Sequence, residues 1–158
     1  MATIHIIAGP PGIGKSTSGH LFVPPGIEIL KKDEMIANNK TFGFKIFQEI
    51  VIQQWLSAIR HKLSDDLEFA IELPMGMPHH YDFVRKSKEA SSENKLNVVL
   101  LFTDDLSMCR ERAAKRFELG GHEVNPAVLD NMYHNTIPLL SAYFQDIDHL
   151  TLADIKKK

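Results

Sequence analysis

Residues 3–17 read TIHIIAGPPGIGKST, and this stretch decides the fold. Its first six residues, Thr3 to Ala8, are β-branched or apolar apart from His5 and stop at a glycine, which predicts a short buried strand. The next nine meet the pattern G-x-x-x-x-G-K-[ST] at Gly9, Gly14, Lys15 and Ser16. Each residue type has a chemical reason. Glycines let the backbone curl until its N–H groups point inward at phosphate oxygens. A helix expected after the loop would offer its positive end. Lys15 is placed to reach the β and γ phosphates, and the Ser16 hydroxyl to bind Mg²⁺. The expected nucleotide-binding set is Gly9, Gly12, Ile13, Gly14, Lys15, Ser16 and Thr17. Average residue frequencies produce the four-position pattern by accident in roughly one chain in a few hundred of this length. The strand before it and the helical start after it make accident rarer still.

Outward from this loop, strand-like runs alternate with helical patterns. Strands are predicted at Ile27–Leu30, Leu67–Leu73, Asn97–Phe102 and His149–Ala153. Phe47, Val51, Trp55, Ile59 and Leu63 form a helical stripe within 44–63. Helices are also predicted over 79–91, from Asp104 or Asp105 to about Leu119, and from Pro126 after an Asn125 cap. Pro138 is expected to kink or divide the last. Such alternation in 158 residues predicts one α/β domain, a parallel sheet covered on both faces. Ligands then sit at the carboxyl ends of the strands.

The bulk numbers exclude some functions. Hydrophobic residues make up 44% and charged residues 24%, as in a soluble globular protein. The net charge of -2 gives no basic field for nucleic acid. No apolar run approaches the roughly 20 residues of a membrane span. The run after Met1 breaks at Gly9-Pro10, so no secretory leader is expected. One cysteine, Cys109, cannot form an internal disulfide, which fits a reducing, cytoplasmic setting.

A phosphate loop alone does not separate kinase, ATPase and switch. The guanine-reading N-K-x-D is absent; Asn94-Lys95-Leu96-Asn97 lacks its aspartate. Thr103-Asp104-Asp105 could serve an ATPase, but a helix cap is the simpler reading. Asp33 follows strand two, and Glu72 ends strand three within an apolar run, where a carboxylate needs a partner. Phosphoryl transfer requires a base for the acceptor hydroxyl and cations on the moving group. Asp33 is the candidate base. Arg112 and Arg116, four apart on one helical face, are the candidate cations, and Gly120-Gly121-His122 would be the hinge of a lid over about 110–135. Glu72 and His122 are the candidate substrate contacts.

These residues together resemble the zeta-toxin-like P-loop kinases, in particular a small bacterial branch labelled predicted ATPases. The similarity covers most of the chain. It includes I-I-A-G-P-x-G-x-G-K-S-T over Ile6–Thr17 and D-E-x-I over Asp33–Ile36. It continues with Glu72, R-x-x-x-R-x-x-x-G-G-H over Arg112–His122, Val124, Pro126 and Tyr133. The resemblance implies a three-layer P-loop fold with strand order 2-3-1-4-5 and a helical lid. It implies ATP or GTP with Mg²⁺, and transfer to a hydroxyl of a small molecule such as UDP-N-acetylglucosamine. It implies Asp33 as proton acceptor and Arg112 and Arg116 as lid arginines, and raises an antitoxin protein as candidate partner. The chain departs from the pattern at Leu73-Pro74, where the family has threonine or serine after the glutamate. It departs also at Asn131, Met132 and Asn135, where the family has arginines around the lid tyrosine, and at Asp154-Ile155 in place of Asn-Ser. The acceptor pocket is therefore expected to differ. A nucleotide-binding module without efficient transfer, and a kinase of nucleic-acid ends, are the competing readings; the acidic balance disfavours the second.

Overall fold

The computed structural model describes residues 1–38, 45–121 and 123–156, excepting the side chains of 37–38 and 45–48. Five strands form one parallel sheet: β1 (Thr3–Ala8), β2 (Ile29–Leu30), β3 (Glu68–Glu72), β4 (Lys95–Phe102) and β5 (His149–Asp154). Their order is β2-β3-β1-β4-β5, with Ile6 opposite Ile71 on one side and Val98 on the other. Helices α1 (Lys15–Ser18), α2 (Lys32–Asn38), α3 (Lys45–Ser64), α4 (Tyr81–Ala90), α5 (Leu106–Glu118) and α6 (Pro126–Ala142) connect and cover it. Among the described residues no helix is long and apolar enough to cross a membrane.

Strands buried on both faces read as continuous apolar runs, and β1 shows why. Ile4, Ile6 and Ala8 enter one core with Trp55 and Ile59 of α3 and Tyr81 and Val84 of α4. Ile7, one residue out of phase, enters the opposite core with Met108, Cys109 and Ala113 of α5. The α3 stripe faces the sheet as its spacing predicts: Val51, Trp55 and Ile59 are buried, and the Trp55 indole N–H donates to the Leu30 carbonyl at 3.2 Å. Burying Val51 or Ile59 stabilises the fold by roughly 1.5–3 kcal/mol each. Phe47 of that stripe lies outside the described side chains.

Two local expectations are corrected. The helix after the phosphate loop is only one α turn, followed by a 3₁₀ turn at Gly19–Phe22. A Cβ at Gly19 would stand 2.7 Å from Ile7 Cγ2, so the loop hugs β1 there, and Pro24-Pro25 then supply no N–H to continue a helix. Of the two outcomes expected at Pro138, kinking or dividing the helix, the second does not occur: α6 runs unbroken through it. The helix is anchored on both sides of the proline. The Tyr133 hydroxyl donates to the Thr103 carbonyl at 2.8 Å, and Leu140 is buried. Packing on both sides outweighs the roughly 3 kcal/mol a helical proline costs.

Helix α6 also joins the two faces. Leu129 belongs to one core and Leu140 to the other, so the helix crosses beyond the carboxyl ends of the strands. Gly76, in the loop after β3, lets it come close: a Cβ there would stand 2.7 Å from Met132 Cβ. The space between the phosphate loop, the start of α2 and this crossing helix is the cleft described next.

Candidate active site

The phosphate loop needs glycine where its backbone turns left-handed: φ is +142° at Gly9, +81° at Gly12 and +106° at Gly14. Sterics repeat the demand at Gly12, where a Cβ would fall on the Cys109 carbonyl of α5. The neighbouring loops hold the shape. Gly9 N–H donates to the Pro74 carbonyl at 3.1 Å, which ties the phosphate loop to the end of β3. Ile13 is buried to 1% exposure and its N–H donates to Pro10, so it anchors the loop in the core and its side chain does not face the cleft.

The cleft has a volume of about 540 Å³. Lys15, Ser16 and Thr17 line its floor, and Asp33, Glu72 and Arg116 line its walls. The Lys15 ammonium folds back on its own loop, donating to the carbonyls of Gly9 at 2.7 Å and Pro10 at 3.1 Å. Burial pushes its pKa down to about 8, while the carboxylates of Glu72 and Asp33 pull the other way. A desolvated ammonium answered by neutral carbonyls gains by turning to a phosphate.

Glu72 ends β3 beside the loop. Its Oε2 accepts the Ser16 hydroxyl at 3.1 Å, whereas Oε1 is buried without a partner. Burial pushes its carboxyl pKa up, against the Ser16 hydrogen bond and the charges of Lys31 and Lys15. Asp33 stands exposed in the first turn of α2. Among the described residues no group of three or more His, Cys, Asp or Glu could enclose a metal ion. The Ser16 hydroxyl and the orphaned Glu72 oxygen suit a hydrated Mg²⁺, which these two residues would hold.

The two arginines separate. Arg116 lines the cleft. Arg112, one turn earlier on α5, does not line it; its Nη1 lies 3.4 Å from the Ile13 carbonyl, behind the loop. Gly121 is needed where α5 ends, because a Cβ there would stand 2.6 Å from Arg116 Cγ. Gly120 has φ +89°, and the N–H of Gly121 donates to the Arg116 carbonyl at 2.9 Å. His122 lies outside the described residues. The cap reading of Asp105 holds: it accepts from Met108 N–H at 3.1 Å and opens α5.

The cleft also contains residues the sequence did not single out, Lys32, His80 and Glu123, together with the helix-capping Asn125 and Met132 from α6. His80 Nδ1 accepts the Met77 N–H at 3.2 Å, which fixes the ring. Burial, with the charges of His79, Lys32 and Lys15, pushes its pKa down to about 4, so it is neutral at neutral pH. Seven residues of irregular chain and 3₁₀ helix separate it from Glu72, so no short-range spacing points to it.

No protein-family model and no curated protein sequence matches the chain. Solved structures do resemble it. A chain of the Pnkp1/Rnl/Hen1 RNA repair complex superposes with a TM-score of 0.65 at 13% identity over 89% of this chain. The match spans only 46% of that longer chain. A Chloroflexus aurantiacus protein described as a candidate kinase gives 0.65 at 14% identity, covering 97% of this chain and 88% of the other. A chain from the PezAT chromosomal toxin–antitoxin system of Streptococcus pneumoniae gives 0.67 at 12% identity, covering 98% and 68%. The sheet order, the phosphate loop and these superpositions together give the chain the three-layer α/β fold of the P-loop kinases.

Proposed function

We propose that the protein is a Mg²⁺-dependent phosphotransferase. It moves the γ-phosphoryl group of ATP or GTP to a hydroxyl of a small molecule. One observation carries the reading: Lys15, Ser16, Glu72, Asp33 and Arg116, from four separate segments, line a single cleft.

The chemistry asked of these residues is positioning and charge stabilisation. The loop amides and Lys15 hold the β and γ phosphates. Ser16 and Glu72 would hold a hydrated Mg²⁺, which would supply positive charge to the phosphates. Asp33 accepts the proton of the acceptor hydroxyl as the oxygen bonds to γ-phosphorus and the bond to the bridging oxygen breaks. The nucleoside diphosphate leaves, and Arg116 stabilises charge on the moving group. Arg112 supports the loop from behind. A single domain over 1–158, with α5 and α6 as its lid, is part of the same reading.

The test is incubation with labelled ATP and a panel of hydroxyl acceptors. The expected result is label in an acceptor, lost in Asp33→Ala. A second reading has its own support: Arg116 is the sole arginine lining the cleft among the described residues, and Met132 occupies the α6 wall. A cleft with a single arginine would bind nucleotide without transferring it efficiently. Calorimetry showing tight Mg·ATP binding with no turnover would select that reading.

A further inference from the structure

Charge in the cleft is unevenly shared. Its described lining carries four carboxylates, Asp33, Glu34, Glu72 and Glu123, against three cations, Lys15, Lys32 and Arg116. A bound triphosphate engages Lys15 and Arg116. What remains for a second substrate is dominated by carboxylates. Glu34 is partly answered by Lys31 at 3.5 Å, but no ion pair between described residues is formed by Asp33 or Glu123. The remaining cation, Lys32, has its ammonium 5.6 Å from the centroid of the Trp55 ring.

His80 adds a second, independent observation. Its Nδ1 is occupied by the Met77 N–H, so in the neutral ring the proton sits on Nε2. The ring resists protonation because burial and the charges of His79, Lys32 and Lys15 oppose it. The cleft thus offers a fixed neutral N–H donor beside a surplus of carboxylate acceptors. Such a set suits oxygen and nitrogen groups of an uncharged or cationic molecule; a phosphate would meet the carboxylates of Asp33, Glu34 and Glu123 against the single cation Lys32.

We propose that the acceptor is a non-phosphorylated hydroxyl compound, neutral or cationic, such as a polyol, a sugar or an amino alcohol, held by Nε2 of His80 and the carboxylates of Asp33 and Glu123. The proposal rests on the phosphotransferase reading and narrows it. It excludes sugar nucleotides and nucleic-acid ends, whose phosphates would enter the acidic part of the cleft.

The full chain is incubated with Mg·ATP and each of glucose, myo-inositol, glucosamine, choline, glucose 6-phosphate, UDP-N-acetylglucosamine and a 5′-hydroxyl oligonucleotide, and ADP release is measured. Turnover is expected with members of the first four and below a tenth of that rate with the last three. His80→Phe is expected to raise KM for the best acceptor at least tenfold, with Kd for Mg·ATP within twofold of wild type. His80→Gln, which keeps a neutral donor, should recover most of the loss. Glu123→Lys should shift preference at least tenfold toward the phosphorylated acceptors. Preferred turnover of a phosphorylated acceptor, or an unchanged KM in His80→Phe, overturns the acceptor assignment and leaves the kinase reading intact. Failure to bind Mg·ATP, or binding with no ADP from any acceptor, overturns both.

Discussion

Glu72→Gln should make the free protein more stable and the nucleotide-bound protein less so. In the free protein one carboxylate oxygen of Glu72 is buried without a partner, and burial already raises its pKa. An unpaired buried charged group costs more than an unpaired amide, whose penalty is about 1–3 kcal/mol. The Ser16 hydroxyl, donating at 3.1 Å, can keep its bond to the amide oxygen. The amide nitrogen then takes the orphaned place as a neutral group, and the net gain is about 1 kcal/mol. For a chain of 158 residues this raises the Tm by about 2–4 °C. With nucleotide the order reverses. Wild type at one hundred times Kd gains about 2.7 kcal/mol from binding. A tenfold loss of affinity in the variant halves that gain to about 1.4 kcal/mol. Differential scanning fluorimetry with and without Mg·ATP reads both arms. The expected pattern is two melting curves that exchange order when ligand is added. A variant that melts several degrees below wild type without ligand would refute the reasoning, since Glu72 would then be a satisfied structural carboxylate.

Three further perturbations follow from the same geometry. His80 titrates near 6.5 when unfolded but only at about 4 in the fold, so the unfolded chain takes up its proton first as pH falls. Stability should therefore drop between pH 6.5 and 4, by about 1–2 kcal/mol after allowance for the ring's partial exposure, and Tm against pH should flatten in His80→Gln. Gly12→Ala forces a Cβ at φ +81° onto the Cys109 carbonyl; about 2–4 kcal/mol of stability is lost, seen as a lower urea midpoint, and Mg·ATP binding goes with it. Arg116→Ala should reduce kcat by about 10²–10³, as loss of a cation on the moving phosphoryl group does. Arg112→Ala should cost less than about tenfold, because Arg112 stands behind the loop; equal losses in the two would contradict the separate placement.

Local sequence carried much of the fold. The TIHIIA run, the glycines of the phosphate loop and the Val51-Trp55-Ile59 stripe are short-range patterns, and each is an element in the structure. Period and glycine placement act over a few residues, so one sequence shows them. The strand order came from resemblance to a family, since which strands pair depends on chain crossings that periodicity does not record.

The makeup of the cleft is a tertiary matter. Arg112 and Arg116 share a helical face, yet only Arg116 lines the cavity, because the direction of α5 past the loop sets which end of that face reaches it. Ile13 belongs to the loop motif, but its side chain fills the core. His80, Lys32 and Glu123 meet across the cleft from loops and helix ends far apart in the chain. They do so because Gly76 lets α6 cross close over the strand ends, an approach that a single Cβ would block. The glycine-rich loop after β1 was therefore determined by the sequence itself, being a backbone conformation that only its glycines allow. What surrounds an acceptor was decided by the tertiary packing, because charge and hydrogen-bond donors converge there only when separate segments are brought together.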